Sequence, residues 1–406
     1  MAALALGVFV RAKLLALLVG TMVLAAVAAH ASVSSSDYDS AEKAADRALK
    51  AVAKPERAAM ALARCRDAFH DRDPVEAPTW CWSAWRASKG ALDASIREET
   101  TTAALVATGG IDSMNPMTVW TGDPALSPAL VRAYALALIN ASRSQAGIPA
   151  AAYRNMARAL GLPPPSPEIE SNQRLQLLKS LSTRPIDSAG LWVAAAVAAT
   201  YGYGQPQKPE EALAYYKALA DALAPFLEPA KGLNGWDTAL YPELSLDWAQ
   251  IEGLSGRAGR AKAAPVRQEG LRQCEATLWP EHFLCYELRY RIALGSAEDA
   301  ILALHPEWVR AGADEPGKSP PQITGKRHYD EYTNPWRLTC RVIVRYDIDD
   351  TGVIANMRQI YSDPTGACDA KASKTTSGFS FAPRSSDRPD EIRTNLIKGY
   401  ARSPVW

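Results

Sequence analysis

By type and spacing, the residues of this chain best suited to chemistry are six cysteines: Cys65, Cys81, Cys274, Cys285, Cys340 and Cys368. An even number with no C-x-x-C pair reads as disulfides rather than as a metal or redox site. Six thiols permit many pairings, and helix geometry narrows them. Cys65 lies near the end of one apolar stripe (Ala58, Leu62, Cys65, Phe69), and Cys81 starts the next (Cys81, Ala84, Trp85), with the loop 71–78 between them. In an antiparallel helical hairpin those positions face each other. Cys274 and Cys285 repeat the arrangement around residues 277–281, with Pro280 expected as a first helical residue. Cys340 and Cys368 are left to pair near the C-terminus.

No other constellation completes a motif. His30, His70, His282, His305 and His328 lie far apart, without HExxH or H-x-H, and read as surface or hairpin-end residues. Asp347, Asp349 and Gly352 begin like a calcium loop, but its twelfth position holds Arg358 where a glutamate is required, so a turn is expected. Gly202-x-Gly204 lacks the third glycine and the preceding strand of a dinucleotide loop. G-x-S-x-G, S-x-x-K and Walker A patterns are missing. The expectation is no catalytic, cofactor-binding or metal-ligating residue. Trp80, Trp82 and Trp85 cannot share one helical face. One is expected against the hairpin disulfide and another half exposed, with a sugar- or peptide-stacking surface as the alternative.

The elements that position these residues begin after an export signal. Arg11 and Lys13 precede the apolar run 14–28, and Ala29-His30-Ala31 fits a small-x-small cleavage site. Residues 1–31 are therefore read as a cleaved signal peptide and the protein as periplasmic, the alternative being a retained inner-membrane anchor. Charge is balanced, 45 Lys+Arg against 44 Asp+Glu, which gives no reason to expect nucleic acid as a partner. Residues 32–310 read as helices. Ala41, Ala44, Ala45, Ala48, Leu49 and Val52 share one helical face. Ser127-Pro128, Pro149, Ser166-Pro167-Glu168, Asp187 and Pro209 open helices, and Gly147 and Gly161 close them. Residues 191–200 are an apolar, buried helix, too short to span a bilayer. An array of stacked helical hairpins is expected.

Residues 311–335 are rich in Gly, Pro, Lys and Asp without apolar period, and read as a linker. Beyond it the period becomes two. Cys340, Val342, Val344, Tyr346 and Ile348 alternate with Arg341, Ile343, Arg345 and Asp347, a half-buried strand. A turn at 349–352 leads to a second strand, 353–361. Residues 368–377 can form a helix, Phe379–Pro383 leads into a polar loop, and 394–403 closes as a third strand. The fold class is α+β: an all-α helical-hairpin domain, 32–310, then a small ββαβ domain, 336–406.

Two stretches resemble known families. Ala194, Ala198, Tyr201, Gly202, Gly204, Ala212, Tyr215, Tyr216, Lys217 and Ala218 resemble a single tetratricopeptide-like repeat of the Sel family. The run Tyr346–Gly352, then Ser362, then Cys368-Asp369-Ala370-Lys371-Ala372, then Phe379-Ser380-Phe381-Ala382-Pro383 resembles the C-terminal domain of TonB-type proteins, with Phe379 where that family has Trp. A Cys340–Cys368 bond would tie strand to helix and offset a helix poor in large apolar residues. The resemblance implies capture of a protein or peptide partner by strand addition. The expected edge is the last strand, with Leu396, Ile397, Lys398, Tyr400 and Arg402. The long Pro/Lys-rich spacer of energy-transducing TonB is missing. The function expected is therefore non-enzymatic protein binding in the periplasm. The alternatives are a TonB-type energy transducer with an uncleaved anchor and a secreted enzyme with its site in the helical region.

Overall fold

The computed structural model describes residues 33–89, 93–111, 127–143, 151–162, 170–203, 205–206, 208–255, 257–304, 323–326, 339–366, 368–386 and 393–402. The signal-peptide segment, Ser166–Glu168, Pro149, Gly147 and most of the segment read as a linker lie outside them. Ser35–Trp406 behave as one unit.

The described helices are α1 Ser35–Lys50, α2 Arg57–His70, α3 Glu76–Ser88, α4 Ala94–Thr108, α5 Pro128–Arg143, α6 Ala151–Ala159, α7 Glu170–Ser182, α8 Ser188–Ala199, α9 Pro209–Leu223, α10 Leu240–Leu254, α11 Arg257–Thr277 and α12 Phe283–Leu304. After them come β1 Ile323–Lys326, β2 Cys340–Ile348, β3 Ile354–Asp363, α13 Asp369–Ser377, β4 Phe379–Phe381 and β5 Leu396–Arg402. The chain is thus α+β, mostly helical with a small antiparallel sheet at its C-terminal end.

Local chemistry sets the helix ends. Asp93 accepts from the Ser95 N–H and Asp187 from the Gly190 N–H, each satisfying a donor that the first turn leaves orphaned. Ser127 Oγ accepts from the Leu130 N–H in the same way. Pro209 is the first residue of α9, as the sequence predicts. Pro280 does not start α12. That helix begins at Phe283, and His282 stands at its cap, Nδ1 accepting from the Leu284 N–H.

Helix α8 lies at the centre. It is apolar all round, and every residue from Ala189 to Ala198 is buried. It packs on α5 and α10, with a smaller contact to α7. A strictly linear array joins each hairpin only to its neighbours; here α8 reaches past α6 and α7 to α5. The Trp192 indole N–H donates to Asp237 at 2.7 Å, which gives the buried ring's polar end a partner. The hairpins α2–α3 and α10–α11 are closely packed pairs.

The two hairpin loops that carry disulfides meet. Phe69 stands edge-on to Trp236 and Trp279, with ring centroids 4.7 and 5.7 Å apart. Arg72, at φ 58°, donates to the Leu278 and Glu275 carbonyls at the end of α11. These are carbonyls a helix C-terminus leaves without partners.

The sheet has the order β3-β2-β5, all antiparallel. A second pair, β1-β4, was not legible in the sequence. Ile323-Thr324-Gly325-Lys326 has one apolar residue, so period two had nothing to act on, and the partner strand supplies the order. β4 lies where the sequence suggested only the lead into a loop. The turn at Asp349 is the one expected: its carboxylate accepts from the backbone N–H of Thr351 and Val353, and Gly352 sits at φ 90° against the Phe381 carbonyl.

Candidate functional site

All three cysteine pairs form the bonds their spacing suggests. Cys65–Cys81 joins α2 to α3, Cys274–Cys285 joins α11 to α12, and Cys340–Cys368 ties the start of β2 to the residue before α13. Their Cα separations are 4.7, 5.7 and 6.2 Å, within ordinary disulfide geometry. Such bonds belong to an oxidising environment.

β2 is more buried than a half-exposed strand. Alternation sends Val342, Val344, Tyr346 and Ile348 to one face, here the back, where α13 and β4 cover them through Ala372 and Phe381. The front face carries Arg341, Ile343 and Arg345. Sequence alternation marks it as the solvent side, yet Ile343 is fully buried and Arg341 is only 3% exposed. The cause is α12, which lies over this face. Glu287 accepts from Arg341 at 2.6 Å and from Arg291 at 2.7 Å. Arg289 bonds Asp363 at 2.7 Å and Glu275 at 3.0 Å. Burial pushes the Glu287 carboxyl up, but Arg341 and Arg291 outweigh it and hold it below its ordinary range.

The network continues inward. Arg143 on α5 pairs with the buried Glu243 on α10. Asp247, one turn further on, has its carboxyl held above the usual range by burial and by Glu243, against the pull of Arg143 and Arg291. Sequence reading missed this set. The one usable signal was Glu243 and Asp247 at i and i+4, on one face of a largely apolar helix.

Tyr290 fixes where α12 meets β5. A Cβ added at Gly399 would collide with the Tyr290 hydroxyl, so a glycine is needed where this ring crosses the strand. Gly399→Ala is expected to destabilise the protein by about 2 kcal/mol. In a Tyr290→Phe background, which removes the clashing oxygen, the same substitution should cost less. Equal costs in urea titrations of both backgrounds would refute the contact.

The predicted edge residues are placed as follows. β5 pairs with β2 over seven successive positions without a bulge, from Cys340 opposite Arg402 to Tyr346 opposite Leu396. Among the described residues it has no second strand partner. Leu396, Lys398 and Tyr400 point to the back. Leu396 packs with Tyr346, Ile348 and Phe381, and Tyr400 shares a 2.7 Å hydrogen bond with Thr376 of α13. Tyr400 is thus engaged in the fold. Lys398 is exposed, its amine 5.6 Å from the centre of the Phe379 ring. Ile397 is half-buried on the front. The Arg402 side chain lies outside the described residues. The opposite edge, β3, is irregular: its pairing with β2 shifts register twice, and Asn356 has φ 49°.

Of the remaining sequence candidates, His30, His305 and His328 lie outside the described residues. His282 is buried rather than on the surface. Its Nδ1 accepts from Leu284, so Nε2 carries the proton and donates to the Val106 carbonyl at 2.8 Å, near the end of α4. Burial first, with Arg143 adding to it, depresses its pKa to about 3. A depressed histidine pKa means that the unfolded chain binds the extra proton first. Stability therefore falls as pH drops below about 6.5, by up to about 1.4 kcal/mol per unit. Asp247, raised, contributes with the opposite sign, so wild type must be compared with His282→Gln. The wild type should lose about 2 kcal/mol more than the variant between pH 7 and pH 5 in urea unfolding. Parallel losses would contradict the assignment. Trp80 is buried, its N–H donating to Glu76, while Trp82 and Trp85 stack at 5.0 Å and Lys89 covers Trp85. Among the described residues, no group of histidine, cysteine and carboxylate side chains could hold a metal ion.

No family model, curated protein or solved structure matches the chain.

Proposed function

We propose that this is a periplasmic, non-enzymatic binding protein that captures an extended segment of a partner by adding a strand to β5. One observation carries the reading. β5 offers seven residues of unbroken register and no second strand partner among the described residues, while α13 and α12 each cover part of one face of its sheet. A strand with one neighbour directs alternate N–H and C=O groups outward, which is what strand addition uses. β3, the competing edge, is interrupted twice, and bulges are a common way to block pairing. The resemblance to the TonB C-terminal domain supports the same edge, and three disulfides suit an exported chain.

The two alternatives have less behind them. An energy transducer needs an anchor, and that segment lies outside the described residues. An enzyme would draw on Glu243 and Asp247, yet Glu243 is taken up by an ion pair with Arg143.

A random-peptide library panned on the full chain, followed by backbone hydrogen exchange, tests the proposal. Selected peptides should slow exchange at residues 396–402. Peptides that bind tightly but protect only the helical region would overturn it.

A further inference from the structure

The front face of the sheet is arranged in rows, because residues directly opposite on antiparallel neighbours share a face. The first row is Asp363, Arg341 and Ala401, and the second is Tyr361, Ile343 and Gly399. α12 occupies both: Arg289 and Glu287 take the charges of the first row, and Tyr290 crosses the second. The third row is Arg358, Arg345 and Ile397. Here two arginines stand directly opposite each other, a like-charge pair that costs stability. Neither makes an ion pair among the described residues, although four other arginines of the same neighbourhood, Arg143, Arg289, Arg291 and Arg341, all do. Arg358 is exposed and Arg345 half-buried. Further along the same face of β2, the Asp347 carboxylate already accepts from the Asn356 amide and the Asn395 N–H.

The back face repeats the imbalance beside the same edge. Lys398 is exposed and in no ion pair among the described residues, and residues 396–402 contain no acidic side chain. Positive charge thus flanks β5 on both faces, and on neither is it ion-paired among the described residues.

We infer that the segment captured at β5 is acidic, with two neighbouring carboxylates, one read by Arg345 on the front and the other by Lys398 on the back. This rests on strand addition at β5 and specifies its ligand. The geometry follows from strand spacing. A residue of an added strand beside Ile397 lies two strands from Arg345, about 10 Å between Cα atoms. An arginine and a glutamate leaning toward each other span that distance, meeting above Ile397, whose apolar side chain shields the pair from water. Arg358, behind Arg345, raises the local positive potential without touching the ligand. The next residue of the added strand faces the back, beside Lys398. The residue two positions from the front carboxylate falls beside Gly399 and the Tyr290 ring, which favours an apolar or aromatic side chain.

Three fluorescein-labelled nine-residue peptides of alternating threonine and valine test this on the full chain by anisotropy, with hydrogen exchange locating the site. The central two residues are Glu-Glu, Gln-Gln or Lys-Lys. At low salt the Glu-Glu peptide should bind about tenfold more tightly than Gln-Gln, protect residues 396–402, and lose its advantage as salt screens the charges. Arg345→Gln and Lys398→Gln should each remove part of the preference, and Arg345→Lys should retain most of it. Both sites are at least partly exposed, so neither variant endangers folding. Equal binding of the three peptides at β5 would overturn the acidic specificity and leave strand addition standing. Absence of protection at β5 with every peptide would overturn both. Self-association of Lys398→Gln with unchanged peptide preference would show that Lys398 only guards the edge, and would also overturn the inference.

Discussion

Full reduction of the three disulfides is expected to unfold the protein at neutral pH without denaturant. The closed loops span 16, 11 and 28 residues of sequence separation. Cross-links of that size restrict the unfolded chain by about 3 kcal/mol each, so together they contribute about 9 kcal/mol. That is comparable with the whole stability of an ordinary domain, about 5–15 kcal/mol. The helical core holds many alanines among its larger side chains, and each buried alanine contributes little apolar area, which raises the share carried by the cross-links. Circular dichroism during dithiothreitol titration gives the readout. The helical signal should collapse on reduction, whereas a fully reduced chain that stays folded would show that packing alone suffices. The bonds need not contribute equally. Cys65–Cys81 and Cys274–Cys285 brace two loops that also touch through Arg72, Phe69 and Trp279, so variants lacking either pair should lose stability non-additively.

The second large effect belongs to Arg341. Arg341→Met leaves Glu287 buried against Arg291 alone and is expected to cost about 3–4 kcal/mol, the usual result of removing one partner of a buried pair. Glu287→Gln should cost a similar amount through Arg341. The double variant should cost clearly less than the sum, because each single change already breaks the same bond. Strict additivity in urea titrations would mean that the two side chains do not depend on each other. The stabilisation from Glu287, whose carboxyl is held below its ordinary range, is present above an ordinary carboxylate pKa and is lost as pH falls through the depressed value. Acid should therefore loosen α12 from the sheet even where the helices persist.

These two predictions rest on features of unequal legibility. The disulfide pairing could be read because each cysteine pair is local: the loops are short, and helical spacing fixes which faces meet. β2, β3 and β5 could be read because alternation is a local signal, as could the ends of α8 and α9 from Asp187 and Pro209. What could not be read is everything set by long-range charge matching. Arg341 occupies the polar half of an alternating strand, and Glu287, Arg289 and Arg291 read as ordinary solvated helix residues. Only their meeting, across 54 residues in the case of Arg341 and Glu287, buries them. β1 was illegible for a related reason, since its order comes from β4. The bulges of β3 escaped notice as well. Nothing in Asn356 or Ile360 marks a register shift, and yet those shifts are what distinguishes the two edges.

The proposed strand addition rests on that distinction. A regular edge at β5 and an irregular one at β3 give the sheet one side on which a further strand can continue the ladder. On the proposed reading the helical region is a support, with Tyr290 and the Glu287 pairs holding the sheet beside β5.

The most direct test is a crystal structure of the full chain bound to a peptide selected on it. The peptide backbone should extend the sheet beyond β5, about 4.8 Å from that strand, with its N–H and C=O groups paired to residues 396–402. A peptide seated along β3, or among the helices with β5 unpaired, would contradict the account.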